Sequence, residues 1–375
     1  MSDEALPEPD RIEGAPHPRE TRTLIGQGTA EAEFLDAFNS GRLHHAWLLT
    51  GALGVGKATL AWKIARFLLA TPEAEEAGLF GDAPPAPATL GIPDDHPVAR
   101  RLMAGSEGRI FVLRRAWDDE KKKLKTVITV DEVRKLRNFL HLSAADGGRR
   151  VVIVDPADEM NPNAANALLK MLEEPPAGVV FLLVSHRPSG LLPTIRSRCR
   201  ELRLATLGPD DLAAAVAAAG GDQGDSGALA ALAAGSVGEA IRLTNLDGIE
   251  TYRALVALFA TLPRLDRPAA LRLAEAAAQR GAAERFELLL ALFDLFLARL
   301  ARAGTLGFEG SEAAPGEAAL FARLAPAPGA ARAWAELQQS LGARARHARA
   351  VNLDPAATVL DMVFRIDETA RGLAA

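Results

Sequence analysis

Gly51-Ala-Leu-Gly54-Val55-Gly56-Lys57 sits between an apolar run, Ala46 to Thr50, and a helix-like stretch from about Lys57 to Ala70. Strand, glycine-rich turn and helix in that order turn a loose pattern into a phosphate loop. The glycines let backbone N–H groups converge on phosphate oxygens. The helix N-terminus adds its dipole, and Lys57 supplies a point charge. Such a loop belongs at the end of a buried strand, so it constrains the fold as strongly as the chemistry.

The next segments agree with that constraint. Strand-like and helix-like stretches alternate through the first half of the chain, which predicts a parallel sheet with crossover helices. Helices are expected near Thr29 to Asn39 and Val130 to Leu140, with strands at Arg109 to Leu113, Arg150 to Asp155 and Val179 to Ser185. The last two are continuously apolar, as strands buried on both faces should be. Asn161-Pro162 opens another helix, with Asn161 as its cap and Pro162 in its first turn. Thr71 to Gly108 has no clear period and reads as a long connection. After about Leu204 the texture becomes helical. Three short helices suit a small lid, and long alanine- and leucine-rich helices follow from Gly248.

Composition narrows the class. Of 375 residues, 49% are hydrophobic and 24% charged, enough for real cores in two or three domains. One cysteine, Cys199, excludes an internal disulfide and a thiolate metal cluster, and fits a reducing cytoplasm. It reads as a small buried hydrophobe. No apolar run reaches the roughly 18 residues of a membrane span. The net charge of −5 argues against wholesale coating of nucleic acid. Lys121, Lys122, Lys123 and Lys125 read as a solvated hairpin or loop tip. Met1 to Thr21 is polar, acidic and proline-bearing, without a signal-peptide pattern, and reads as a disordered leader.

The loop's departures say more than its matches. A magnesium-binding Ser or Thr belongs after the lysine, and Ala58 stands there. Thr59 is one residue on, turned by about 100° on a helix, so its hydroxyl points elsewhere. Asp155 closes a buried strand, where a metal-binding carboxylate is expected. The following residue, which in hydrolases of this kind is a glutamate that polarises water, is Pro156. Asp158 and Glu159 read as loop or cap acids. Two catalytic positions are blank.

The run Val154-Asp155-Pro-Ala-Asp158-Glu159-Met160-Asn161 through Leu168-Leu169-Lys170-Met-Leu172-Glu173-Glu174-Pro175-Pro176 resembles the segment shared by bacterial sliding-clamp loader subunits, an AAA+ family. Leu192-Pro193-Thr194-Ile195-Arg196-Ser197-Arg198-Cys199 is similar to their Ser-Arg-Cys motif. His44-His45-Ala46-Trp47 and Thr129-Val130-Asp131-Glu132 fit as well. Motor subunits keep the loop hydroxyl, the Asp-Glu pair and a lid arginine in Gly-Ser-x-Arg. Here the lid reads Gly235-Ser236-Val237-Gly238, so the resemblance points to the delta-prime branch of DNA polymerase III clamp loaders.

What the resemblance implies is specific. The fold is an α/β P-loop AAA+ core over residues 22–205, a helical lid over 206–247 and an all-α collar over 248–375, after the leader 1–21. Arg198 acts in trans as an arginine finger on a neighbour's ATP, and Arg196 is structural. The degenerate cradle is Gly51, Gly54, Val55, Gly56, Lys57, Ala58 and Thr59, with Asp155 and a vestigial Ser185. It could hold ATP or ADP without hydrolysis, but requires no cofactor. Zinc is expected to be absent, because Thr71 to Gly108 carries no cysteine and His96 alone cannot make a tetrahedral site. Partners would be motor subunits and a delta subunit in a ring, and through it the sliding clamp and primer-template DNA. Arg134 and Lys135 are candidate DNA contacts. On this reading the chain is a subunit of the polymerase III holoenzyme and no enzyme by itself. The competing reading is an active clamp-loader ATPase that tolerates Ala58.

Overall fold

A computed structural model describes residues 7–71, 86–142, 148–221, 224–279 and 281–374. It divides into two compact units. The first takes the chain through Gly220 together with Gly235–Gly238, and the second takes Gly221–Ala234 with Glu239–Ala375. The expected lid, 206–247, is therefore shared between them.

In the first unit the order is α1 (Gly28–Asn39), β1 (Ala46–Thr50), α2 (Lys57–Ala70), α3 (Pro97–Met103), β2 (Ile110–Leu113), β3 (Trp117–Asp118), β4 (Lys123–Leu124), α4 (Val130–Leu142), β5 (Arg150–Val154), α5 (Pro162–Glu173), β6 (Val179–Val184), α6 (Pro193–Arg196), β7 (Arg200–Arg203) and α7 (Pro209–Ala218). Five strands form one sheet in the order β2-β5-β6-β1-β7, and every neighbouring pair is parallel. β1 is thus an interior strand, flanked by the strands that end in Val184 and Arg203. This is the expected parallel sheet with crossover helices and a glycine-rich loop after β1.

The all-apolar strands are explained by what covers them. Alternate residues of β1, β5 and β6 (Trp47, Leu49, Val151, Ile153, Val180, Leu182) pack with α1 and α2 on one face. Their neighbours (Ala46, Leu48, Val152, Val154, Phe181, Leu183) pack with α4 and α5 on the other. With both faces covered, no position is left for a polar residue, and each large side chain so buried contributes roughly 1.5–3 kcal/mol. α5 starts as its sequence predicts: Asn161 Oδ1 accepts from the Ala164 N–H at 2.8 Å, and Pro162 needs no partner in the first turn.

Two expectations are corrected and one is met. The stretch 71–108 is not a bare connection, because His96 Nδ1 accepts from the Val98 N–H at 3.2 Å and caps α3; residues 72–85 lie outside the described residues. The lysine tip is a short hairpin, β3 with β4, as expected. Residues 7–21 carry buried side chains where a disordered leader was expected: His17 is fully buried and Asp10 lies within 3.1 Å of it. Residues 1–6 lie outside the described residues.

The second unit is all helical: α8 (Ser226–Ala233), α9 (Val237–Asn245, whose first two residues belong to the first unit), α10 (Gly248–Ala260), α11 (Arg267–Ala277), α12 (Ala283–Leu306), α13 (Glu317–Leu324), α14 (Pro328–Ala350) and α15 (Pro355–Ala374). Tyr252, Phe259, Phe293, Phe296, Phe321 and Trp334 fill its core. Inside it Glu317, fully buried, accepts from Tyr252 Oη and from Arg299 Nε at 2.8 Å, so the buried charge is paired. None of the helices described is long and apolar enough to cross a membrane.

Candidate functional site

The cradle forms where β1 hands over to α2. Gly51 has φ +140, and a Cβ there would come within 2.7 Å of the Leu204 carbonyl, so only glycine permits this turn. Val55 is buried behind the loop, and its carbonyl accepts from Gln27 Nε2 at 3.2 Å. The same Gln27 amide also donates to Ala205 O at 2.8 Å and accepts from Ala205 N at 3.1 Å. One buried side chain thus ties the loop to the segment after β7. Gln27 was not singled out from sequence, since a glutamine before a helix carries no chemical signal by itself.

Lys57 is the loop's only charge and is 3% exposed. Its ammonium donates to the loop's own carbonyls, Gly51 O at 2.9 Å and Ala52 O. Burial pulls its pKa down to about 8 against the opposing pull of Asp155 and Asp158. Asp155, at the end of β5, is pushed up to about 7, first by burial and next by the charge of Asp10, with Lys57 opposing. Lys57 and Asp155 act on each other's charge, and burial moves each away from its ordinary value.

The rest of the rim completes the picture. Ser185 follows β6; its hydroxyl is buried without a hydrogen-bond partner among the described residues. His186 donates its backbone N–H to Asp158 Oδ1 at 2.9 Å, and burial together with Lys57 pulls its imidazole down to about 4. Sequence reasoning took Asp158 for a loop acid and passed over His186; their closeness to Lys57 comes from the sheet order. Ala58 and Thr59 are half-buried. The orphaned Ser185 hydroxyl, the glycine loop and Lys57 fit a phosphate group. Magnesium chemistry fits poorly, because position 58 has no hydroxyl and position 156 no carboxylate.

Gly54 is held from the other side. Ser236 Oγ donates to Leu53 O at 2.8 Å and Gly238 N donates to Gly54 O at 3.0 Å. A Cβ on Gly238 would meet Gly54 Cα at 3.0 Å and Ile12 Cδ1 at 2.8 Å. A side chain at position 238 would be tight against the Gly54 backbone and would displace Ile12.

Arg198 lies away from this cradle, between α6 and β7. Its Nη2 is 2.8 Å from Glu173 Oε1, and its Nη1 donates to Thr194 O at 3.0 Å. Arg196 is exposed and makes no ion pair among the described residues, unlike the structural role expected of it. Cys199 packs against the core next to Ile195, and burial pushes its thiol up to about 12. Arg134 and Lys135 are exposed on α4 and paired one turn back, with Asp131 at 2.6 Å and Glu132 at 3.0 Å.

Comparison with known proteins matches residues 26–208 to the family described as DNA polymerase III, delta subunit. Over 155 residues the chain is 43% identical to the DNA polymerase III subunit delta' of Pseudomonas aeruginosa, covering 41% of each protein. The subunit delta' of Yersinia pestis is 35% identical over 178 residues, 48% of this chain and 44% of that protein. The subunit gamma/tau of Mycobacterium bovis is 30% identical over 200 residues, 52% of this chain and 30% of that protein. The chain thus spans less than half the length of these relatives.

Proposed function

We propose that this chain, whose residues 26–208 match the family described as DNA polymerase III, delta subunit, is a delta-prime clamp-loader subunit that takes part in loading the clamp without splitting ATP and lends Arg198 to the ATP site of a neighbouring subunit. Because a gamma/tau relative is similar too, similarity alone does not separate a motor subunit from a silent one. The residues at the cradle support the silent reading.

One observation carries the reading. The phosphate-holding half of the site is present, while the hydrolytic half is missing: Ala58 offers no metal ligand, Pro156 no base, and Asp155 sits at a pKa of about 7. With no hydroxyl at position 58 and no base at position 156, Lys57 and the loop N–H groups are left without the metal and the general base that phosphoryl transfer uses.

The finger is the complementary half. An arginine presented to a γ-phosphate from outside stabilises that same charge. Arg198 is partly exposed, its present acceptor Glu173 is partly exposed too, and α6 and β7 hold its backbone. A phosphate could therefore compete for the guanidinium without any cost in buried structure. Partners on this reading are motor and delta subunits, the clamp and primed DNA, the last through exposed cations such as Arg134 and Lys135 once freed from their acids.

The test is ATP hydrolysis by the purified chain with magnesium, alone and with motor subunits. Background turnover alone is expected. Turnover by the chain alone that is abolished by Lys57→Ala would show an active motor instead.

A further inference from the structure

The acidic segment before α1 crosses the cradle. Glu8 accepts from Arg19 Nη1 at 2.8 Å and from Arg114 Nη2 at 3.0 Å, and Arg114 Nη1 also donates to Asp10. His17 Nε2 lies 3.1 Å from Asp10 Oδ2, and its ring meets the edge of Trp62 on α2 at 5.8 Å. Arg66, one turn further along α2, donates to Arg19 O at 2.7 Å. Tight turns, with Arg11 N to Glu8 O at 3.1 Å and Ala15 N to Ile12 O at 3.2 Å, give the segment a shape of its own.

Its position matters more than its shape. On one side of the phosphate loop Asp10 is close enough to Asp155 for its charge to act on that carboxyl. On the other, Ile12 Cδ1 reaches Gly238, which is hydrogen-bonded to Gly54 of the loop. Further along, Leu24 Cδ1 would touch a Cβ placed on Gly56 at 2.7 Å. Phosphates held by Lys57 and the loop would lie between Asp155 and Gly54, on the path the segment takes. Two carboxylates there also repel an anion.

We propose that residues 8–19 are a strap, latched by Arg114 through Glu8 and Asp10, that closes this chain's own phosphate loop, so that a nucleoside phosphate enters only when the latch opens. The inference rests on the reading of Gly51–Lys57 as a nucleotide cradle, and says nothing about hydrolysis or about Arg198. Arg114 is the latch because its guanidinium ties both acids to a residue outside the segment, whereas His17, which also lies 3.6 Å from Glu8 and 3.1 Å from Asp10, is part of the segment itself. Strap and ligand exclude each other, so the apparent affinity is the intrinsic affinity scaled by the open fraction.

Equilibrium binding of a fluorescent ADP analogue to the full chain tests this without any enzymatic readout. Arg114→Ala is expected to tighten binding by about tenfold or more, corresponding to a strap open in no more than about a tenth of wild-type molecules. Should that variant fail to fold by circular dichroism, the charge-neutral double substitution Glu8→Gln with Asp10→Asn opens the same latch. Amide exchange gives the reciprocal measurement: saturating analogue should speed exchange across residues 8–19 of the wild-type chain. Unchanged affinity in a folded latch variant, unaltered exchange at saturation, or no binding by any form would each overturn the strap. If the latch variant gains affinity and Lys57→Ala on top of it does not lose that gain, the cradle reading fails instead.

Discussion

Arg198 is clasped by Glu173: one guanidinium nitrogen lies 2.8 Å from the carboxylate, and another donates to the Thr194 carbonyl at 3.0 Å. Both side chains are more than a third exposed, so water and salt screen the pair. The clasp positions the guanidinium and stabilises the fold little.

Removing the clasp should therefore cost little. Glu173→Gln and Arg198→Ala are each expected to lower unfolding free energy by less than about 1 kcal/mol. Urea denaturation of the purified chain measures this. A loss of several kcal/mol for Arg198→Ala would make the residue a brace of the sheet edge.

Cys199 should be inert in the native chain. Its thiol is pushed up to about 12 by burial, so almost no thiolate exists at pH 8, and it is the only cysteine. Reaction with a chromogenic disulfide is expected to be slow in buffer and complete at once in guanidinium. Rapid labelling of the folded protein would contradict the packing described for α6 and β7.

His186 sets a pH dependence. Its folded pKa is about 4, below the ordinary value of 6.5, because burial and the neighbouring Lys57 disfavour the charged ring. Between those values the unfolded chain binds more protons, so this group makes stability rise with pH from about 4 to about 6.5 and adds no slope above that. In His186→Gln the rise over that window should shrink. An unchanged stability profile would place the imidazole in water.

Much of this was legible from sequence, for physical reasons that also explain what was not. β6 and all but the end residues Thr50 of β1 and Arg150 of β5 are apolar because helices cover both faces, and α2 begins at Lys57 because the loop ends there. β7 is different. Arg200-Glu-Leu-Arg203 has one buried residue on an edge strand, with Glu201 accepting from Thr50 Oγ1 and Arg200 over the Trp47 ring, so no periodicity announces it. Residues 7–21 mislead in the opposite direction. Their prolines and acids read as disorder, yet Glu8 and Asp10 are held by Arg114, roughly a hundred residues away, and local composition carries no trace of such a partner. At the site, Lys57, Asp155 and Ser185 follow from strand ends, whereas His186 and Asp158 join them only through the β5-β6-β1 order.

The division of labour between a silent cradle and a lent arginine is tested most directly by ATP turnover in an assembly reconstituted from this chain, motor and delta subunits, clamp and primed DNA. With Arg198→Ala, assembly by gel filtration should be intact while the site served by the finger falls silent, since such an arginine is worth on the order of 10³–10⁵ in rate. Turnover should then drop by that site's share. DNA-stimulated turnover equal to that of the wild-type assembly would contradict the account.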